Sequence, residues 1–547
     1  MGSGDNNIET KDMNSNTYKV CILTAGIGAR LGSFSESMNK GILPINNKAA
    51  ISYIIEKFPI DCEIIIAVGY KKDNVIDYLT LAYPERSFTF VEVDKYTGPG
   101  SGPGYSLLAC KDYLQSPFIF CASDTIVLED APPPSENWIG IAPVHETEQY
   151  CTVKIKNNLV TQIDDKIKTD NKFAFIGLAG IYDYRQFFLA LEQNQELRNN
   201  ELQMVEGFNG LLERKLVPVG FTWFDTGSYV NYIETNKHFS GGEKKFDFSK
   251  GDEFLYFVND RVIKFFADKT IAEKRYYRAT RALSGLCPEI EKLKGNFYSY
   301  RMVPGQTMYN MLSVNLLAEF LSWSKTHLWR RLELTPEQKK DFSKACHDFY
   351  YTKTKKRLEM FHEKTDTTEE PRCINGLNTP SALELLERVD WDHIADGIPA
   401  NFHGDLQFDN ILVKRDPGPG EHKFLLLDWR HDFGGQADIG DLYYDLAKLY
   451  GGMIMSYPLI KEGMFFCDMN ADNVYYHYFL KSDVVEAREY YEHFLISEGF
   501  DLEKIKILTS LIFLNMAPLH HSPFDVLLHG FGRSMLAKTL DKTFETR

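Results

Sequence analysis

From Tyr18 to Asp124 the apolar positions alternate between two rhythms. YKVCILTA, CEIIIAVGY, FTFVEV and PFIFCASD are short, nearly continuous apolar runs. AAISYIIEKF, KDNVIDYLTLAY and YSLLACKDYL lie between them, with apolar residues three and four apart. Runs of the first kind predict buried strands and those of the second predict helices. Strands alternating with short helices predict an α/β sheet that is largely parallel. Such sheets bind ligands at the carboxyl ends of their strands. A glycine-rich loop and Asp124 both fall at such ends.

The rhythm breaks at FSGGEKKFDFSKGD, residues 239–252, which reads as a domain junction. DEFLYFVND and RVIKFF then predict paired strands, and TIAEKRYYRATRALSG a long charged helix. From about Thr307 the pattern is helical, apart from a strand-rich block at 401–429. The expected organisation is a leader at 1–16, a first domain at 17–240 and a second at 241–547. The second divides into a small lobe at about 241–306 and a helical lobe at about 307–547.

Composition narrows the function classes. With 547 residues, 44% of them hydrophobic, the chain is too long for one core. A net charge of −15 and the lack of a long basic run argue against nucleic acid or anionic membrane as the main partner. The nine cysteines form no CxxC pair, as expected of reduced thiols in a cytoplasmic protein. The first sixteen residues lack the apolar stretch of a signal peptide and read as a disordered leader, and no apolar run is long enough to span a bilayer. The expected partners are therefore small molecules, with no membrane insertion; the oligomeric state is left open.

The loop LTAGIGARLGS excludes two common phosphate sites. Gly26, Gly28 and Gly32 miss the GxGxxG spacing by one residue, no acidic residue ends the second strand, and there is no GK[ST]. Instead Arg30 follows Gly28 and Lys40 lies ten residues later. Exposed backbone N–H groups and two cations suit a triphosphate. This stretch resembles the signature of the sugar-nucleotidyltransferase superfamily. Asn39 replaces that family's usual proline, as in members resembling phosphocholine cytidylyltransferases. YTGPGSGPGYSLLAC, containing Gly102, resembles the segment placed against the base. FCASDTIV and GFTWFDTGSYVNYIETNKHF resemble the two metal-ligand blocks, which implies Asp124 and Asp225 as Mg²⁺ ligands. NNELQMVEGFNGLLERKLVPV resembles the sugar-contacting segment, with Glu201 the nearest match. The likeness spans roughly Tyr18 to Phe239. It implies a Rossmann-like domain with a mixed, mostly parallel sheet. It also implies attack of a substrate phosphate on an NTP, releasing pyrophosphate.

NFHGDLQFDNILV, KFLLLDWRHDFGG and ADIGDLYYDLAKLY carry a second pattern. They resemble the core of the aminoglycoside-phosphotransferase and choline-kinase family, which implies a bilobal protein-kinase-like α+β domain over about 250–450. In that family's terms Asp405 orients the acceptor hydroxyl, while Asn410 and Asp428 hold Mg²⁺ on ATP. Lys264 contacts phosphate and pairs with Glu273, and Ser249 and Gly251 stand in a short phosphate loop. YRMVPGQTMY resembles the adenine-facing hinge. His403 reads as a structural hydrogen-bonding residue. Trp429, Tyr443 and Tyr444 read either as an acceptor wall or as packing. His520 and His521, being adjacent, do not face one metal.

Together these readings predict a bifunctional enzyme using ATP and a second NTP (CTP, UTP or GTP). It would phosphorylate a small alcohol, a sugar or sugar-like polyol being favoured, and activate it for surface glycan or lipid synthesis. One alternative is an amino-alcohol kinase joined to a phosphocholine-type cytidylyltransferase. The other is a regulatory binding protein with one inactive catalytic domain.

Overall fold

The computed structural model describes residues 18–32, 34–194, 197–198, 200–241, 252–366, 370 and 372–541. These residues form two compact units. The first comprises the described residues up to 241 together with 252–259 and 263–267. The second comprises 260–262 and 268 onward. The division is therefore not a single cut: the chain returns to the first unit after the junction. Ser249, Gly251 and the leader lie outside the described residues.

The first unit is built on a nine-stranded mixed sheet. Its strands are β1 (Lys19–Leu23), β2 (Ile64–Val68), β3 (Phe88–Glu92), β4 (Phe118–Ala122), β6 (Trp138–Pro143), β7 (Cys151–Lys156), β8 (Leu159–Asp165), β9 (Phe173–Ile181) and β10 (Val217–Gly220). The order is β8-β7-β9-β4-β1-β2-β3, with β6 joined to β9 and β10. β1 lies parallel to both β2 and β4, and β2 lies parallel to β3, as the alternation predicts. β2, β4 and β1 from Val20 onward are covered on both faces, which is why they read as apolar runs. The antiparallel part begins at β9. Helices α1 (Lys72–Ala82), α2 (Pro103–Ala109) and α3 (Tyr184–Gln193) cover the sheet. α3 buries Phe187, Phe188 and Leu191 against Phe118 and Phe208. A short ribbon joins β5 (Thr125–Val127) to β11 (Trp223–Asp225), and α4 (Tyr229–Phe239) follows it. After the junction β12 (Glu253–Val258) rejoins this unit: Tyr256 is fully buried, and its hydroxyl donates to the Ile42 carbonyl.

The second unit is predominantly helical. Its strands include the hairpin β14 (Ile290–Lys294) and β15 (Phe297–Arg301) and the sheet of β16 (Gly305–Thr307), β17 (Ile411–Lys414) and β18 (Phe424–Leu426). β13 (Arg261–Phe266) lies where the chain passes between the units. Helix α5 (Lys269–Thr280) opens the second unit's main segment. A π-helical turn at Asp348–Thr352 leads into α6 (Lys353–Thr365). Helix α7 (Leu442–Ile454) is buried along its whole length, yet it carries Asp445 and Lys448. Charges in such a position need specific partners. All nine cysteines are free thiols. No described helix is long and apolar enough to cross a membrane.

Candidate functional site

The first site is a cleft of about 840 Å³ at the carboxyl ends of β1 and β4. Gly26, Gly28, Arg30, Lys40, Gly102, Asp124 and Glu201 all line it. The glycine loop turns with Gly28 at φ 73° and Gly32 at φ 60°, conformations that suit glycine. A Cβ on Gly28 would stand 3.2 Å from that of Lys40, so the bare backbone lets Lys40 cross beneath the loop. Gly102 has φ 123°, and a side chain there would press on Glu201 and the Leu202 carbonyl. Ser101 pairs with Glu201, which carries the second glycine segment onto Glu201's strand.

Two pairings bring the carboxylates together. β4 carries Asp124 to the cleft, and Thr125 on β5 is in register with Asp225 on β11. Asp124, Asp225 and Arg30 then converge on Gly227. A Cβ there would lie 3.0 Å from a carboxylate oxygen of each aspartate and 3.1 Å from the Arg30 guanidinium. Lys40 Nζ meets Asp124 Oδ2 at 2.6 Å. Burial alone would raise the Asp124 carboxyl, but the Lys40 ammonium and the Arg30 guanidinium together hold the group below the usual range. Asp225 is raised, first by burial and then by the negative charge of Asp124. Asn231 Nδ2 donates to Asp225 at 2.6 Å, and the Gly227 N–H donates at 2.8 Å. Two adjoining carboxylates of which one is electrostatically under-compensated are a fitting oxygen-donor set for a hard divalent cation.

Asn39 lies beside this site without entering it. It is fully buried; its amide nitrogen donates to the Thr24 and Tyr70 carbonyls at 2.8 and 2.7 Å. Its oxygen accepts the Gly41 N–H, capping the turn that carries Lys40. The departure from proline is therefore a backbone clamp between two strand ends, and Asn39 does not itself line the cleft. Asn39→Ala would leave two buried carbonyls unpaired and is expected to cost roughly 2–4 kcal/mol. The check is the thermal unfolding transition of the first unit, with that of the second unchanged.

The second group lies in the loop between Phe402 and Ile411. Asn410 Nδ2 donates to the Asp405 carbonyl at 2.8 Å and to its Oδ2 at 3.3 Å. Lys448 Nζ contacts Asp405 Oδ1 at 2.7 Å. Burial would raise Asp405, but Lys448 outweighs it and keeps the group an anion. Asp428 adjoins them at φ 54°, a left-handed conformation uncommon for a non-glycine residue. It forms an ion pair with Arg275. Asn410, with its amide nitrogen turned to Asp405, keeps its amide oxygen as an acceptor. Together with Asp428 it is a fitting oxygen-donor pair for Mg²⁺. His403 is fully buried, its pKa lowered to about 4 by burial, and its Nε2 lies 2.9 Å from the Leu427 carbonyl. Asp445 accepts the His403 and Gly404 N–H groups at 2.7 Å each, fixing the loop.

Three expected roles are corrected here. Trp429 is buried at 1% exposure, stacks on Tyr298 and donates to the Arg275 carbonyl, so it packs the interior and forms no acceptor wall. Tyr443 is also buried. Its hydroxyl accepts the Asp501 N–H, and Lys504 lies over its ring. Glu273 is on the exposed face of α5, whose buried positions include Ala272, Arg275 and Arg278. The partner that α5 supplies to this site is Arg275. Lys264 lies on β13 and is buried. Lys448, Arg275 and Asp445 were not anticipated. The available signal was charge inside helices otherwise apolar on their inner face.

No family profile matches the chain. Curated relatives resemble its N-terminal part. The bifunctional protein GlmU of Methanococcus vannielii is 29% identical over 231 residues, covering 40% of this chain and 54% of that protein. Choline-phosphate cytidylyltransferase of Streptococcus pneumoniae is 36% identical over 108 residues, 19% of this chain and 44% of that protein. D-glycero-alpha-D-manno-heptose 1-phosphate guanylyltransferase of Aneurinibacillus thermoaerophilus is 27% identical over 156 residues, 26% and 66% respectively. The chain spans about half the length of the GlmU proteins it matches. Among solved structures, UDP-glucose pyrophosphorylase complexed with UDP-glucose aligns at 20% identity with a TM-score of 0.36. That alignment covers 41% of this chain and 98% of that one.

Proposed function

We propose that the chain is a bifunctional transferase whose second unit makes the phosphate ester that its first unit activates. The observation that carries the reading is the convergence of Asp124, Asp225 and Arg30 on Gly227, with Lys40 on Asp124, at the mouth of a glycine-lined cleft. In the first unit the bare loop at Gly26 and Gly28 receives the triphosphate. Arg30 and Lys40 neutralise charge on it, and Glu201 accepts hydrogen bonds from the hydroxyls of a polyol acceptor. An oxygen of the acceptor's phosphate bonds to the α-phosphorus, the bond to the β-phosphate bridge breaks, and pyrophosphate leaves. The relatives' names fit this reaction, with a sugar phosphate in one case and a choline phosphate in another.

In the second unit Asp405 orients the acceptor hydroxyl and takes its proton as that oxygen bonds to the γ-phosphorus of ATP, releasing ADP. Asn410 and Asp428 would hold Mg²⁺ there, and Asp124 and Asp225 would hold it in the first unit. When bound, the ion supplies neutralisation of phosphate charge. A mass-spectrometric screen of the full chain tests the whole reading. ATP with CTP, UTP or GTP is offered against pooled sugars, polyols and amino alcohols. An NDP adduct that requires both ATP and a second NTP is expected. A parallel screen supplies the same acceptors already phosphorylated, and an adduct formed only there would remove the kinase half.

A further inference from the structure

Around Asp405 the second unit gathers positive charge that the phosphotransferase reading does not use. Lys353 follows directly on the π-helical turn, a feature common at functional sites. Its ammonium lies 4.2 Å from the centre of the Phe349 ring, and the Arg430 guanidinium lies 5.0 Å from the same ring. Arg357 is one turn further along α6, on the face that carries Lys353. Lys448 completes the group on Asp405 itself. Among the described residues, Lys353, Arg357 and Arg430 form no ion pair; Arg430 Nε donates to the Asp432 carbonyl at 2.9 Å.

Such a grouping is unfavourable by itself. Burial lowers Lys353 to about 6, and the charges of Arg430, Lys448 and Arg357 push in the same direction, with Asp405 opposing them. Arg357 is lowered as well, by burial and then by Arg430. Like charges held together in a partly buried site are relieved by an anion placed among them. Arg430 stands two residues after Asp428, and a Cβ on Gly404 would strike it at 2.6 Å, so it lies against the loop that holds Asp405. A quaternary ammonium acceptor would be repelled from the same place.

We infer that the acceptor phosphorylated by the second unit is an alcohol bearing an anionic group, a carboxylate or a phosphate monoester, held by Lys353, Arg357 and Arg430 while its hydroxyl meets Asp405. This rests on the phosphotransferase reading and replaces its neutral polyol with a charged one. It also disfavours the choline-type alternative.

The test measures ADP release by the full chain with ATP and Mg²⁺ against four pools: hydroxy acids, alcohol monophosphates, neutral polyols and amino alcohols. One of the two anionic pools is expected to exceed the neutral and cationic pools, and which of the two does so identifies the group. Lys353→Met and Arg357→Met should each raise KM for that acceptor about tenfold or more, the scale of one charged hydrogen bond, with kcat within about threefold. Lys353→Arg should restore much of the loss. The thermal unfolding transition of the second unit in the same variants reports that this unit remains folded. Preference for neutral or amino alcohols overturns the inference and leaves the phosphotransferase reading standing. So does a rise in KM for ATP in place of the acceptor, which would give the cations to the nucleotide. ADP from none of the four pools overturns the phosphotransferase reading and the inference with it.

Discussion

Replacing Asp124 by alanine should lower nucleotidyl transfer by about a hundred- to a thousandfold, the scale seen when one preorganised electrostatic contact to developing charge is lost. The geometry makes this the most damaging single change in the first unit. Asp124 is the partner of Lys40 at 2.6 Å and the neighbour whose charge raises Asp225. Its removal releases Lys40 from the position beneath the glycine loop and takes away half of the carboxylate pair. Asp225 would lose the like charge that adds to the effect of burial on its carboxyl. The measurement is pyrophosphate release from a second NTP and a pre-phosphorylated acceptor. ADP formation from ATP is the internal control and should persist. Wild-type pyrophosphate release would remove Asp124 from the metal site; loss of both reactions in a folded variant would remove the two-site reading.

Much of the first unit is legible in the sequence because burial leaves a simple trace there. A strand covered on both faces must be apolar at its buried positions, and β2, β4 and β1 from Val20 onward are. Lys40 and Asp124 are 84 residues apart, yet their meeting follows from two properties of the chain. Strands of a parallel sheet end on one side, and residues after those ends share a cleft. Asn39 shows the limit. Its chemistry type is visible, but its hydrogen bonds run to carbonyls of two different strand ends, and no local pattern specifies them.

The second unit was harder to read because its site depends on helix phase and on tertiary neighbours. Glu273 and Arg275 are two residues apart on α5, which is about half a helical revolution. The inward face carries Ala272, Arg275 and Ala279, and the glutamate falls outside it. Trp429 follows Asp428 directly, and the two side chains diverge: the aspartate pairs with Arg275, and the indole is buried against Tyr298. Adjacency to a functional residue thus said little about where an aromatic ring points. Lys448 was legible in principle. It lies three residues after Asp445, so the two share one face of a fully buried helix and both reach the loop that holds Asp405.

That face leads to the second large effect. Asp405→Asn should lower ATP-dependent phosphorylation by about a hundred- to ten-thousandfold, the usual range for a positioned proton acceptor. The substitution keeps the shape and can keep the contact from Asn410, but it removes the anion. Lys448 Nζ would then face an amide in a buried site where it now has a carboxylate 2.7 Å away. Part of the loss should therefore appear as reduced stability of the second unit, since an uncompensated buried charge costs several kcal/mol. The double variant Asp405→Asn with Lys448→Met separates the two contributions. Removing the stranded charge should restore the unfolding temperature without restoring turnover, while pyrophosphate release by the first unit stays at its wild-type rate. Recovery of turnover in the double variant would show that the single variant failed through misfolding, and Asp405 would no longer be the proton acceptor.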